Sequence, residues 1–305
     1  MVSDGVEPRY LEMMTAPERR MTLSSILKRW VFWSVHLGCL LVYFVGVSWV
    51  AVAVCAALYF IRMFAITGGY HRYFSHRSYK TSRWFQFVLA CVGASSAQKG
   101  PIWWASHHRH HHKHSDTEED IHPPRLQGLW YAHVGWVLSA QYIDTRFELV
   151  KDLLKFPELR FLDRNHLIPP AVLILCLLGA GQLLRTEFPE LGTSAAQLFV
   201  WGFCISTTLV YHGTFLINSL AHVVGSQRFE TGDDSRNSFL LAIVTLGEGW
   251  HNNHHRYPGS ERQGFYWWEI DISHYLLKGL AWIGLVWDLR EPPRRIYDEA
   301  SARGR

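Results

Sequence analysis

Apolar residues run almost unbroken from Trp30 to Thr67, about twice the roughly 20 residues that one helical membrane span requires. Gly46-Val-Ser48 offers the tight connection within that run and divides it into a helical hairpin of about 30–46 and 48–67. A second pair follows about 100 residues later: Ile168–Leu184, then Ala195–Leu216, whose helix is expected to run on to His222. The Arg185–Ser194 connection between them is short and polar. Backbone groups inside a bilayer must bond within their own segment, so the pattern predicts an all-α membrane protein with four transmembrane helices.

Three further apolar stretches do not read as spans. Trp84–Gln98 is short and holds Gly93 and Ser95-Ser96, so an interfacial or core helix is expected; Ser238–Leu246 is similar. Phe265–Trp287 carries four Trp but interleaves Glu269, Asp271 and Lys278, which predicts an amphipathic helix packed on a polar cap. Residues 1–24 are polar, broken by Pro8 and Pro17, and read as a loose tail without the marks of a secretory signal. A single domain is expected over 25–290, its cap drawn from 68–165 and 222–290, with a C-terminal tail over 291–305. Arg62, near the end of the second span, is expected to snorkel to the interface.

Charge sets the orientation. Arg19, Arg20, Lys28 and Arg29 precede the first span, and the basic positions Arg290, Arg294 and Arg295 lie near the other end. The positive-inside rule then places both termini and the cap on the cytoplasmic side of a multi-pass integral membrane protein. Hydrophobic residues make up 49% of the 305 and aromatics 14%, yet mean hydropathy is only −0.02, which fits a few spans with a large polar cap. The net charge of +4 comes without a basic stripe, so no nucleic-acid partner is expected. The five cysteines, Cys39, Cys55, Cys91, Cys176 and Cys204, all sit in apolar runs with no CxxC pair. They read as small buried hydrophobes, so no iron–sulfur site is expected in the chain.

The chemistry lies in histidine. His71-Arg-Tyr-Phe-Ser-His76, His108-Arg-His-His111-His112 and His251-Asn-Asn-His254-His255 each follow an apolar stretch. In the second and third, i, i+3, i+4 spacing puts three rings on one helical face. Asn218 and His222, at i and i+4 on the last span, point the same way; Asn218 is a candidate for holding a metal-bound water. Nine imidazoles exceed what one metal takes, so two metals are implied. A nitrogen-rich set without a carboxylate bridge disfavours magnesium and calcium; iron activating O2 fits best and zinc hydrolysis second. A zinc transporter would place ligands and carboxylates near the midplane, and these spans hold almost no acidic residues. Asp116, Glu118, Glu119 and Asp120 are candidates to orient ring N–H groups. His36, His166, His212 and His274 read as hydrogen-bonded core residues.

These motifs resemble the membrane-bound fatty-acyl desaturases of the stearoyl-CoA (Δ9) type over roughly residues 60–260. Gly68-Gly-Tyr-His-Arg-Tyr-Phe-Ser-His-Arg-Ser-Tyr-Lys80 is similar to that family's first box, and Trp104-Ala-Ser-His-His-Arg-His-His-His-Lys113 to its second. Asn218-Ser-Leu-Ala-His222 resembles its asparagine–histidine element, and Gly247-Glu-Gly-Trp-His-Asn-Asn-His-His255 its third box. The resemblance implies a four-span fold whose cytosolic helical cap holds a di-iron centre on His71, His76, His108, His111, His112, His222, His251, His254 and His255. His107 and His110 fall outside the ligand positions. It implies O2-dependent formation of a cis double bond, at Δ9, in a saturated acyl chain carried as acyl-CoA. Gln98, Trp104 and Thr214 match positions lining the bend of the family's substrate tunnel. Three basic positions that grip coenzyme A in animal members are Ser106, Ala140 and Gln141 here, which keeps a lipid-linked or acyl-carrier-protein-linked chain open. A di-iron hydroxylase and a non-enzymatic metal-handling protein are the competing expectations. No haem or dinucleotide motif is present, so electrons are expected from a separate ferredoxin or cytochrome b5-like donor with its reductase.

Overall fold

The computed structural model describes residues 23–303, so most of the expected N-terminal tail, with Arg19 and Arg20, lies outside the described residues. The first apolar run opens with α1 (Leu23–Cys39) and α2 (Val42–Val45). The expected helix over 30–46 is therefore interrupted: Leu40 N and Leu41 N bond back to Leu37 O and Gly38 O, a tightened turn at Leu40–Leu41. After Gly46 comes α3, one continuous helix over Trp49–Ser75 whose last stretch, Ala65–Ser75, is π-helical. Ser48 caps it, its Oγ accepting Ala51 N at 3.2 Å.

The cap begins with β1 (Lys80–Thr81), α4 (Arg83–Ala94), α5 (Pro101–His114), α6 (Pro124–Gln127), α7 (Trp136–Leu138) and α8 (Pro157–Arg164). The second pair of long helices is α9 (Ile168–Glu187) and α10 (Ala195–His222). A capping box starts α10, Ser194 and Gln197 bonding each other's backbone N–H at 3.2 Å. The chain then forms α11 (Phe239–Val244), α12 (His251–Arg256), α13 (Ile272–Trp282), β2 (Val286–Trp287) and α14 (Arg294–Arg303). β2 pairs antiparallel with β1, Lys80 opposite Trp287.

Among the described residues three helices, α3, α9 and α10, are long and apolar enough to cross a membrane; Arg29–Val45 is a shorter apolar helical stretch. The two short connections lie together: Ser48 Oγ meets Thr193 Oγ1 at 2.7 Å, and Trp201 Nε1 donates to Gly46 O at 3.0 Å. Between the long helices the core is Phe32, Val35, Ala51, Leu177, Leu198, Phe203, Tyr211 and Phe215. A second core joins the far half of α3 to the cap through Met63, Ile66, Tyr70, Phe74, Leu89, Ile102 and Leu159.

Three expectations are corrected. Arg62 does not snorkel: it is 1% exposed and donates to Leu58 O at 3.2 Å, Thr207 Oγ1 at 2.7 Å and Ser206 Oγ. Phe265–Trp287 is not one helix. Only Ile272–Trp282 is α-helical, because Asp271 leaves the polar face to cap it, Oδ1 accepting His274 N at 3.0 Å, and to pair with Arg72. Residues 291–305 are not simply a tail, since α14 buries Ile296 against Phe229 and Phe265 and pairs Glu299 with Arg256.

Candidate metal centre

Three elements bring the boxes together. The π-helical end of α3 carries His71, with His76 just beyond it; such bulges shift the phase of a helix at functional sites. The second box rides on α5, whose N-cap is Gly100 and offers no side chain. Asp163 of α8 supplies the missing acceptor, its Oδ1 taking Trp103 N at 2.8 Å. A Cβ on Gly100 would sit 2.4 Å from that oxygen. The third box is α12, pinned by its two asparagines. Asn252 Oδ1 accepts Arg228 N and Phe229 N, both at 2.8 Å, and Asn253 Nδ2 donates to Gln263 O at 3.0 Å and Glu269 Oε2 at 2.9 Å.

The nine imidazoles form two groups that cut across the boxes. His71, His76, His108, His112 and His254 bring one ligand atom each within 4.8 Å of one another; His111, His222, His251 and His255 do the same. On α5, i and i+4 serve the first group and i+3 the second. On α12, His254 serves the first, His251 and His255 the second. Nε2 atoms face each other at 2.8 Å (His76–His108), 2.9 Å (His112–His254), 3.0 Å (His222–His251) and 3.1 Å (His71–His254).

Proton placement tests whether a metal fits. His111 Nδ1 lies 2.9 Å from Asp120, His222 Nδ1 2.8 Å from Asp116 and His255 Nδ1 2.6 Å from Asp233; His71 Nδ1 pairs with Glu248. A carboxylate accepts only, so Nδ1 carries the proton and Nε2 presents a bare lone pair. His111 Nε2 and His255 Nε2 are buried without any partner. Converging lone pairs need a cation between them, and an all-nitrogen donor set suits iron or zinc.

Electrostatics agree for six of the nine rings. Burial, reinforced by neighbouring imidazoles, pushes His76, His108, His112, His251 and His254 well below the ordinary imidazole range. His255 is pushed down to about 4 by burial, against the pull of Asp233. These rings stay neutral, the state a metal binds. Burial would also lower His111, but Asp120 reverses it; burial would raise Asp120, but His111 and His122 pull it far below the carboxylate range.

Asn218 lines two adjoining cavities, of about 120 and 30 Å³, which share Trp104 and Thr214; His108 lines the larger and His71 the smaller. Trp104 stacks on His108 at 5.1 Å between ring centroids. Trp104 Nε1 donates to Gln98 Oε1 at 3.4 Å, Gln98 Nε2 to Thr214 Oγ1 at 3.1 Å, and Thr214 Oγ1 to Val210 O at 2.9 Å.

The remaining histidines lie outside both groups. His107 bonds Trp103 O and His110 bonds Glu119 O. His274 meets Glu261 at 2.8 Å, His166 meets Asp163 O at 3.3 Å, and His36 meets His212 at 3.2 Å. Of the four acidic candidates, Asp116 and Asp120 reach ring nitrogens of the groups. Glu118 is exposed, and Glu119 pairs with His114 instead. Sequence reasoning missed Asp233, Glu248, Asp163 and His122, the last of which could join His111 and Asp120 in a third metal-capable group. Glu248 had a signal, being part of the third box; Asp233 sits in an aperiodic polar stretch that offers none.

Comparison with known proteins settles the family. The fatty acid desaturase family model matches residues 47–286. The chain is 37% identical over 252 residues to the acyl-CoA C20 Delta5-desaturase of Anemone leveillei, covering 80% of this chain and 75% of that protein. It is 36% identical over 278 residues to Delta-9 acyl-lipid desaturase 1 of Arabidopsis thaliana (90% and 86%) and over 282 residues to the sn-1 stearoyl-lipid 9-desaturase of Anabaena variabilis (88% and 98%). With two histidine groups able to hold metal beside an apolar cavity, the chain belongs to the fatty acid desaturase family and is a desaturase, an oxidoreductase.

Proposed function

We propose that this desaturase uses two iron ions and O2 to remove two hydrogens from a saturated acyl chain, leaving a cis double bond at Δ9. His71, His76, His108, His112 and His254 would hold one iron; His111, His222, His251 and His255 the other, with Asn218 holding a water on the centre. The observation that carries this reading is contact: Trp104 stacks on His108 and bonds Gln98 in the cavity wall, so whatever fills the cavity lies against the five-histidine group. Bound iron supplies the oxidising power that alkyl C–H bonds demand and acid–base side chains lack.

The chain's own residues do the rest. The Trp104–Gln98–Thr214 relay bends the cavity and fixes which carbons meet the centre. Asp116, Asp120, Asp233 and Glu248 hold protons on Nδ1 and keep the opposite nitrogens free. Two electrons come from a separate protein, a ferredoxin or a cytochrome b5-like donor.

The carrier is the point at which a second reading gains support. Ser106 is fully buried and donates to Trp103 O at 2.8 Å, while Ala140 and Gln141 are uncharged. Nothing at these positions offers charge to coenzyme A, which favours a lipid-linked chain over acyl-CoA; relatives of both kinds are similar to this chain. The α1–α2 stretch would be the fourth span. The adjoining connections near Ser48 and Thr193 support two hairpins turning at one membrane face, with the cap on the cytoplasmic side. Expression in a host lacking its own desaturase, followed by double-bond location and iron analysis, tests the reading. A new Δ9 cis-monoene with about two iron per chain supports it, and the pool holding that product, lipid or thioester, identifies the carrier. Hydroxylated product, or iron without product when a donor system is supplied, overturns it.

A further inference from the structure

The segment between α4 and α5 delivers Gln98 to the cavity, and its backbone is held from three directions. Arg62 donates to Ser95 O at 3.4 Å, Tyr211 to Ala97 O at 3.0 Å and Tyr70 to Lys99 O at 3.1 Å. Every second carbonyl thus meets a buried donor from another part of the chain, with Arg62, Tyr70 and Tyr211 at most 3% exposed. The clamp holds an unfavourable backbone. Ala97 and Lys99 have φ of 56° and 67°, a left-handed conformation that residues with a Cβ adopt rarely and keep only when their surroundings enforce it. Gln98 lies between them, and its amide orientation is fixed, because Trp104 Nε1 can only donate and Val210 O can only accept.

We infer that Tyr211, Tyr70 and Arg62 are positioning residues for bond position: by clamping residues 95–99 they set where along the acyl chain Gln98 acts, and hence which carbon pair faces the metal centre. This rests on Gln98, Trp104 and Thr214 forming the cavity bend. Successive methylenes are chemically alike, so the choice among them requires a register held more tightly than one methylene step; a misplacement of about 1 Å is enough to change reactivity. The clamp can be loosened without emptying the core. Tyr211 is stacked between Phe32 and Phe215, both at 5.7 Å, so Tyr211→Phe removes only the hydroxyl. Tyr70→Phe removes the hydroxyl that holds Lys99 O, whereas Ala97→Gly removes the penalty on the left-handed conformation and so favours the clamped backbone without its donors. Gly93→Ala acts on Tyr70 indirectly, since a Cβ there would come within 2.3 Å of its ring.

The experiment locates the double bond by mass spectrometry in a desaturase-free host, with iron content and thermal midpoint measured on each purified variant. Tyr211→Phe and Tyr70→Phe are expected to keep the parent's iron content while the fraction of product unsaturated at a neighbouring position rises about tenfold, and adding Ala97→Gly to Tyr211→Phe is expected to bring that fraction back toward the parent's. Gln98→Ala separates the layers. If it shifts the bond while Tyr211→Phe and Tyr70→Phe only lower yield at an unchanged isomer ratio, the clamp is structural and the inference is overturned. If Gln98→Ala itself leaves the position unchanged, the bend reading fails and the inference with it. Should Tyr211→Phe not accumulate, Tyr70→Phe decides alone.

Discussion

Asp163 Oδ1 accepts the backbone N–H of Trp103 at 2.8 Å, so the helix carrying the second histidine box is capped by a residue of another helix. Burial pushes the Asp163 carboxyl up from its ordinary 3.8 to about 6, against the pull of the Trp103 N–H and Lys99. A folded-state value above the unfolded one means that ionisation costs stability. The cost is absent below about pH 4 and grows as pH rises through 6, to at most about 3 kcal/mol for a shift of about two units. Asp163→Asn keeps an acceptor but cannot ionise. Its thermal midpoint should match the parent near pH 4 and exceed it above pH 7. Asp163→Ala should be less stable than Asp163→Asn at both, by about 1–3 kcal/mol, because the Trp103 N–H loses its partner. Midpoints that differ by the same amount across pH would show that Asp163 does not titrate in this range.

Adjacent histidines on α5 should differ sharply in consequence. His111→Ala or His254→Ala should abolish turnover and lower bound iron, whereas His110→Ala, whose ring bonds Glu119 O, should leave both nearly intact. Equal loss at all three positions would mean that the register of the second box is wrong.

The two histidine groups are supported unequally. Asp116, Asp120 and Asp233 each hold a ring of the four-histidine group, and Glu248 alone holds one of the five-histidine group. If each group holds an iron, as proposed, Asp120→Asn or Asp233→Asn should therefore weaken one iron about 10–100-fold and leave the other. Iron per chain measured against a graded chelator should fall in two steps, and a single concerted loss would sink the idea.

Arg72 is 1% exposed and bidentate on Asp271 at 2.9 and 3.1 Å, with Glu248 on its Nε at 3.1 Å. Arg72→Ala strands buried carboxylates, a loss of about 3–5 kcal/mol, and should prevent folded protein from accumulating in detergent. Arg72→Lys should recover little, lacking the planar fork. Wild-type yield from Arg72→Ala, judged by size-exclusion profile, would contradict the role given to this pair.

Much of the site was legible because its signals are local. Apolar runs long enough to span marked α3, α9 and α10, and i, i+3, i+4 spacing put three rings on one face of α5 and of α12. The same locality explains the misreadings. Arg62 looks like a residue at a span end until Thr207, 145 positions away, is seen to take its guanidinium. Asp271 reads as the polar face of a helix until Arg72, 199 positions away, claims it.

The sequence by itself therefore singled out the nine histidines that the fold gathers into two groups able to hold metal, and the helices that bear most of them, since both follow from spacing within a few turns. Only the tertiary structure decided that neighbours His111 and His112 part company into different groups, that Asp116, Asp120, Asp233 and Glu248 hold their protons, and that three buried donors clamp the segment bearing Gln98. Those pairings join residues far apart in the chain, and their geometry is fixed by how the helices pack, which no local period records.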